Sequence, residues 1–221
     1  MIILEALSNV DMKYRPLNYW GWLEMIEPEE VRWQVREMSK AGLGGYVAHA
    51  RGGLLIPYMG KQWLDSVSAM VDQGEKQGMV TVVGDEDGWP SGFGAGKVNG
   101  KGEEYWLKWL ECEKVKPEEF KTTDSTIGVY KFLNNSVTRI KDISEAYEIN
   151  GELIHIYYNS SKYYVDNLDP KVVNEFIKSS YDAFYDKFPD EFGSGIKMIF
   201  TDEPQLARDH ITWSFILPEE F

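Results

Sequence analysis

Between residues 18 and 83 short apolar runs alternate with helical periods, and no other feature restricts the folding of this chain so tightly. The first run, Asn18-Tyr-Trp-Gly-Trp-Leu23, suits a buried strand. Glu27-Pro28-Glu29-Glu30 then opens a helix, with proline in its first turn and acids at the positive end of its dipole. Val31, Val35, Met38 and Leu43 recur at roughly helical spacing, and Gly42, Gly44 and Gly45 stop the period. A second strand, Gly45–Ala50, closes at Arg51-Gly52-Gly53. A second helix, Gln62–Lys76, carries Trp63, Val67, Met70 and Val71 on one side. Gly78 ends it, and Met79–Val83 is a strand dominated by β-branched valine and threonine. Strand–helix alternation with short connections implies a parallel sheet with right-handed crossovers. Runs that are apolar throughout, without alternation, imply burial on both faces.

After Val83 the rhythm breaks into a glycine-rich loop, Gly84–Gly102. Residues 103–165 read as a β-rich insertion, with candidate strands at 106–116, 126–133 and 153–158 and turn signals at Asn134-Asn135 and Asn150-Gly151. The rhythm resumes at Asp169-Pro170, which starts a helix expected to run to about Lys187, and Ile196–Phe200 forms a fourth strand. The expected fold class is therefore α/β. It is a single domain over 1–221, organised as a partial (β/α)₈ TIM-type barrel of about four βα units, with the insertion after its third strand. A complete barrel takes ~250 residues. An open four-stranded α/β sheet is the alternative that pattern alone leaves.

The net charge of −13 repels phosphate backbones and anionic lipid, so neither nucleic acid nor a membrane is expected as partner. A neutral polyhydroxylated substrate is compatible with it. The 8 Trp, 13 Tyr and 10 Phe either fill the core or supply flat rings on which a pyranose can stack. Met1–Trp20 lacks the basic start of a signal peptide, and Ile2-Ile3-Leu4 is interrupted by Glu5, so a cytoplasmic location is expected. Cys112 is the lone cysteine and cannot form an intrachain disulfide. No cofactor or metal is expected.

In parallel α/β folds chemistry gathers past the C-terminal ends of the strands, which selects four places. After the second strand come His49 and Arg51, the latter with a planar fork for carboxylates or sugar hydroxyls. After the third comes Asp85-Glu-Asp-Gly-Trp89-Pro-Ser-Gly92, an acidic cluster followed by a stacking ring. A solvated acidic turn is the plainer account of it. As a metal site it lacks nearby His ligands. Before the resumed helix lies Asp166, a candidate for the cleft, whereas Asp169 suits the helix N-cap. After the fourth strand comes Thr201-Asp202-Glu203-Pro204, where the proline pushes Glu203 into an extended conformation suited to acid–base work.

Taken in order, Arg51-Gly-Gly-Leu-Leu-Ile-Pro-Tyr58, Asp85–Gly92 and Thr201-Asp-Glu-Pro204 resemble the N-terminal part of the catalytic barrel of large bacterial glycoside hydrolases of the α-L-rhamnosidase-like type. The resemblance implies a (β/α)₈ barrel and hydrolysis of O-glycosyl bonds with inversion. It makes Glu203 a catalytic carboxylate acting as general acid, with Asp85 and Glu86 lining the subsite. Arg51, Trp89, Asp166 and Asp202 complete the candidate substrate-binding set. Inversion needs a second carboxylate ~6.5–9.5 Å from the first. Either Glu86 or Asp85 supplies it, or these 221 residues lack it. A non-catalytic carbohydrate-binding or interaction module on the same scaffold is the competing reading, and a metal-dependent hydrolase using Asp85, Glu86 and Asp202 is the third. Half a barrel also exposes sheet edges, so it is expected to associate with itself, to associate with a missing half, or to be a cut fragment, the last being the favoured expectation. The chain is then a fragment, and the purified 221-residue protein should not turn over aryl glycosides. Robust turnover would refute that expectation.

Overall fold

The computed structural model describes residues 10–220 and divides into two compact units. One comprises the chain up to Val98 together with Asn174–Pro204; the other comprises Asn99–Val173 and the residues from Gln205 onward. The expectations placed on Ile2–Glu5 fall outside the described residues.

The first unit is built on a four-stranded parallel sheet ordered β1-β2-β3-β8. Its strands are β1 (Leu17–Glu24), β2 (Gly45–Leu54), β3 (Val80–Asp87) and β8 (Ile196–Phe200). Helices α1 (Pro28–Lys40) and α2 (Lys61–Gln77) supply the crossovers and bring Val31, Val35, Trp63, Val67 and Met70 into one core with Trp22, Tyr46, Ala48 and Ala50. Edge-on ring contacts of Trp22 with Trp20 and Trp63, at 5.3 and 4.8 Å, fill the wedge between β1 and the helices. Where α2 crosses β2 the fit demands glycine. A Cβ on Gly74 would stand 2.3 Å from the Tyr46 hydroxyl and 2.7 Å from Thr81 Oγ1. That close approach lets the Tyr46 hydroxyl donate to the Met70 carbonyl at 2.9 Å, and burial pushes its pKa up to about 12.

Burial on both faces holds for β2 over Gly45–Ala50 and for β3, but not for β1 and β8. β1 alternates: Trp20 and Trp22 turn to the helices, whereas Leu17, Tyr19 and Leu23 are 41–49% exposed, and Met198 of β8 is 53% exposed. Continuous apolarity in β1 therefore does not report its environment. The helix expected over 169–187 is interrupted. It forms α3 (Pro170–Ile177), a π-helical turn at Lys178–Asp182, and α4 (Ala183–Lys187). The extra residue in the π turn lets both Ser180 and Tyr181 meet Asp85 of β3.

The second unit is a five-stranded antiparallel sheet ordered β6-β5-β7-β4-β9. It comprises β4 (Trp106–Val115), β5 (Thr126–Leu133), β6 (Ser136–Arg139), β7 (Glu152–Val165) and β9 (Ile211–Trp213), with a last short helix α5 (Leu217–Glu220). Asn134 and Asn135, both at positive φ, make the tight β5–β6 turn that their sequence signals. A small core of Phe120, Val129, Ile140, Ala146 and Leu153 packs one end. Trp22→Ala should lower the unfolding free energy by ~3–5 kcal/mol in denaturant titration, the range for emptying a buried aromatic site. A loss below 1 kcal/mol would show that Trp22 does not anchor the first unit.

Candidate functional site

The C-terminal ends of the parallel strands are organised around two fully buried carboxylates, Asp85 and Glu86. Asp85 accepts three hydroxyl donors: Ser91 Oγ at 2.6 Å on Oδ1, and Thr201 Oγ1 at 2.7 Å and Tyr181 Oη at 2.9 Å on Oδ2. Its carbonyl accepts Ser180 Oγ at 2.6 Å. Three segments thus converge on this residue of β3: the loop after it, the π turn and the end of β8. Burial, with the Asp85 charge beside it, pushes Tyr181 up to about 12. Ser91 carries the order one step further. Its amide donates to the Asp202 carbonyl, and its hydroxyl accepts the Asp202 amide, both at 2.9 Å.

Glu86 organises the loop itself. Oε1 accepts the amides of Asp87 (2.9 Å) and Ala95 (2.6 Å), and Oε2 those of Gly92 (3.1 Å) and Gly94 (2.7 Å). A carboxylate offers about four lone-pair sites, and all are taken by N–H donors, which fits the ionised form. Burial raises its pKa while the four amides oppose the rise.

Past this buried layer the groups face outward. Asp202, partly exposed, accepts the Tyr19 hydroxyl at 3.4 Å, and Arg51 Nη1 stands 3.6 Å from the same oxygen. Burial raises Tyr19, and the Asp202 charge adds to the rise. Glu203 is exposed, with φ at 44°, in the left-handed region that non-glycine residues rarely occupy. The extended conformation expected from the following Pro204 is not adopted. The Ser91–Asp202 pair fixes the backbone immediately before it. Trp89 is 44% exposed in the loop. His49 is fully buried beside Tyr19 and Phe200, its ring so close to Gly84 that a Cβ there would come within 2.4 Å of Cδ2. Neither ring nitrogen makes a hydrogen bond of good geometry among the described residues, and burial pulls its pKa below the ordinary value against an opposing contribution from the Ala50 backbone.

Of the residues singled out in sequence, Arg51 and Asp202 meet directly, Asp85 reaches Asp202 through Ser91, and Glu203 adjoins Asp202 in the chain. Asp166 belongs to the second unit. It is 1% exposed there, with Oδ2 3.7 Å from the buried Lys108 ammonium and Oδ1 accepting the Leu168 amide. Burial raises Asp166 and lowers Lys108. Tyr19, Thr201, Ser180, Tyr181 and Lys108 were not anticipated. Their partners lie as far as 183 residues away, and the local signals were the motifs themselves, Trp-Pro-Ser91-Gly and Thr201-Asp-Glu-Pro. No group of three or more metal-ligating side chains occurs among the described residues.

No family model and no curated protein matches the chain. Among solved structures it is similar to a rhamnosidase from Novosphingobium sp. PP1Y, with a TM-score of 0.41 and 18% identity. That similarity covers 50% of this chain and 11% of the rhamnosidase, so the chain spans only a small part of that protein. No helix among the described residues is long and apolar enough to cross a membrane.

Glu86→Gln should destabilise the protein by ~2–3 kcal/mol, because the carboxamide turns a donor group toward amides that need an acceptor. Amide exchange at Gly92, Gly94 and Ala95 should accelerate together, and unchanged protection would contradict the role. His49 gives a pH test. Its folded pKa lies below the unfolded value of ~6.5, so the unfolded chain binds the proton more readily between the two values. Stability should therefore fall on acidification through that window, by at most ~1.4 kcal/mol per pH unit. Glu86, Asp87 and Asp166, all raised by burial, act in the opposite sense as pH falls, so the difference between wild type and His49→Phe isolates the histidine. Parallel stability curves from pH 7.5 to 5 would contradict the assignment.

Proposed function

We propose that the first unit is part of a (β/α)₈-type glycoside hydrolase barrel and that Glu203 is its general acid. The observation that carries the reading is Glu203 itself. An exposed carboxylate is held in a sparsely populated backbone conformation just past the end of β8, and such strain persists only where the surroundings impose it and clusters at functional sites. The order of motifs in the sequence, the parallel topology, and Arg51 with Tyr19 against Asp202 support it. In this reading Glu203 donates its proton to the glycosidic oxygen as the bond to the anomeric carbon breaks. Arg51, Asp202 and Trp89 hold the sugar. Asp85 and Glu86, expected as subsite and catalytic groups, are instead assigned to hold the loop, since both are buried and committed to protein donors. The inverting base is then a different carboxylate.

A cationic iminosugar of L-rhamno configuration mimics the charge that develops on the sugar ring, and its binding does not depend on turnover. Glu203→Gln should weaken it ~10- to 100-fold, the scale of one lost charge-assisted contact, while L-rhamnose affinity changes less than twofold. Equal loss for both ligands, or no loss for either, would favour a binding module without catalysis. Absence of binding of either to the wild type would reject the rhamnosidase-like assignment.

A further inference from the structure

We infer that the second unit carries a binding site of its own, for a neutral oligosaccharide, on the face of its antiparallel sheet formed by β4 and β7. Directly paired residues share a face, and the register places Trp109 opposite Asn159, Glu111 opposite Tyr157 and Glu113 opposite His155. One face is therefore a row of rings alternating with carboxylates and an amide. Along it lie two concavities. One, of about 260 Å³, is lined by Glu113, Phe120, Thr123, His155, Tyr157 and Asn159. The other, of about 280 Å³, is lined by Leu107, Trp109, Ser161, Leu206 and His210. Each is somewhat smaller than the ~300 Å³ at which drug-sized sites begin, and each has its own aromatic platform. From His155 to Ser161 the strand rise spans ~20 Å, the reach of a chain of linked sugars and not of a single small molecule.

The side chains are held in place before any ligand arrives. Trp109 Nε1 donates to Glu111 Oε1 at 2.8 Å, Asn159 Nδ2 reaches the same oxygen at 3.5 Å, and the His210 ring lies 5.5 Å from that of Trp109. His155, 5% exposed, is fixed through Nδ1 to Glu113 at 3.1 Å and through Nε2 to Thr126 at 3.0 Å, and its ring lies 4.8 Å from that of Tyr157, tilted by 34°. Half-buried Tyr157 and Trp109 thus present rings whose orientation is already set, which reduces the entropy lost on binding. The chemistry selects the ligand class. Flat rings stack on the apolar faces of pyranoses, and carboxylates accept sugar hydroxyls. Glu111 and Glu113 in the middle of the row disfavour acidic polymers, while one cation lines each concavity, Lys121 the first and Arg208 the second. Among the described residues no cluster of three metal-ligating groups marks the face as a cation site.

This assignment does not rest on hydrolysis, and its test is separate from that of Glu203. In affinity electrophoresis against galactomannan, xyloglucan, arabinogalactan and polygalacturonate, at least one neutral polymer should retard the full chain and polygalacturonate should not. Trp109→Leu/Tyr157→Leu should weaken the retardation at least tenfold, while Glu203→Gln leaves it unchanged. Thermal unfolding monitors the fold, and the exposed substitution Asn159→Ala, expected to weaken binding ~3-fold for one lost hydrogen bond, provides a variant that does not disturb packing. Failure of every neutral polymer to retard the wild type overturns the site. So does equal retardation of the ring variants, or stronger retardation by polygalacturonate.

Discussion

Asp85 is the constraint on which the strand-end architecture depends. A buried ionisable carboxyl is expensive unless its oxygens are satisfied, and this one is satisfied from three directions by hydroxyls of Ser91, Thr201 and Tyr181. The three donors come from the loop after β3, the end of β8 and the π turn. None of these segments can move away without leaving a buried acceptor short of partners. Because Ser91 is tied in turn to both backbone groups of Asp202, the order imposed at Asp85 is passed to the residue before Glu203. Glu86 extends the same principle to the loop, replacing missing secondary structure with hydrogen bonds donated by four backbone amides to one carboxylate.

The layering separates structural from outward-facing charge. Asp85 and Glu86 are adjacent in sequence to Asp87, and the run Asp85-Glu-Asp87 suggests a single acidic patch. The fold instead spends the first two on internal bonding and leaves Asp202 and Glu203, from another strand, on the outside. Like charges are tolerated side by side here because Asp85 and Glu86 are each turned to their own set of protein donors.

Much of the first unit was legible in the sequence. Glycine stops and helical spacing located α1, α2 and the four parallel strands to within a few residues. The strand-end rule pointed to Arg51, Asp85, Asp202 and Glu203 because topology, not local chemistry, puts residues there. What stayed hidden depends on distant partners. The π turn at Lys178–Asp182 has no local signature, since its extra residue is stabilised by contacts with Asp85, nearly a hundred positions earlier. The buried pairing of Asp166 with Lys108 was invisible for the same reason, and an aspartate before a helix reads as a cleft or capping residue. β9 was missed because three residues carry no period, and only β4 beside it makes them a strand.

The most direct measurement is iminosugar affinity in Asp85→Asn, at a residue too buried to touch a ligand. If Asp85 sets the geometry of Asp202 and Glu203, replacing one acceptor oxygen by an amide should loosen Thr201, Tyr181 or Ser91. Binding of the L-rhamno iminosugar should then weaken ~10-fold, with faster amide exchange at Asp202 and Glu203. Unchanged affinity and exchange in a folded Asp85→Asn protein would show that the strand-end site does not depend on this buried carboxylate.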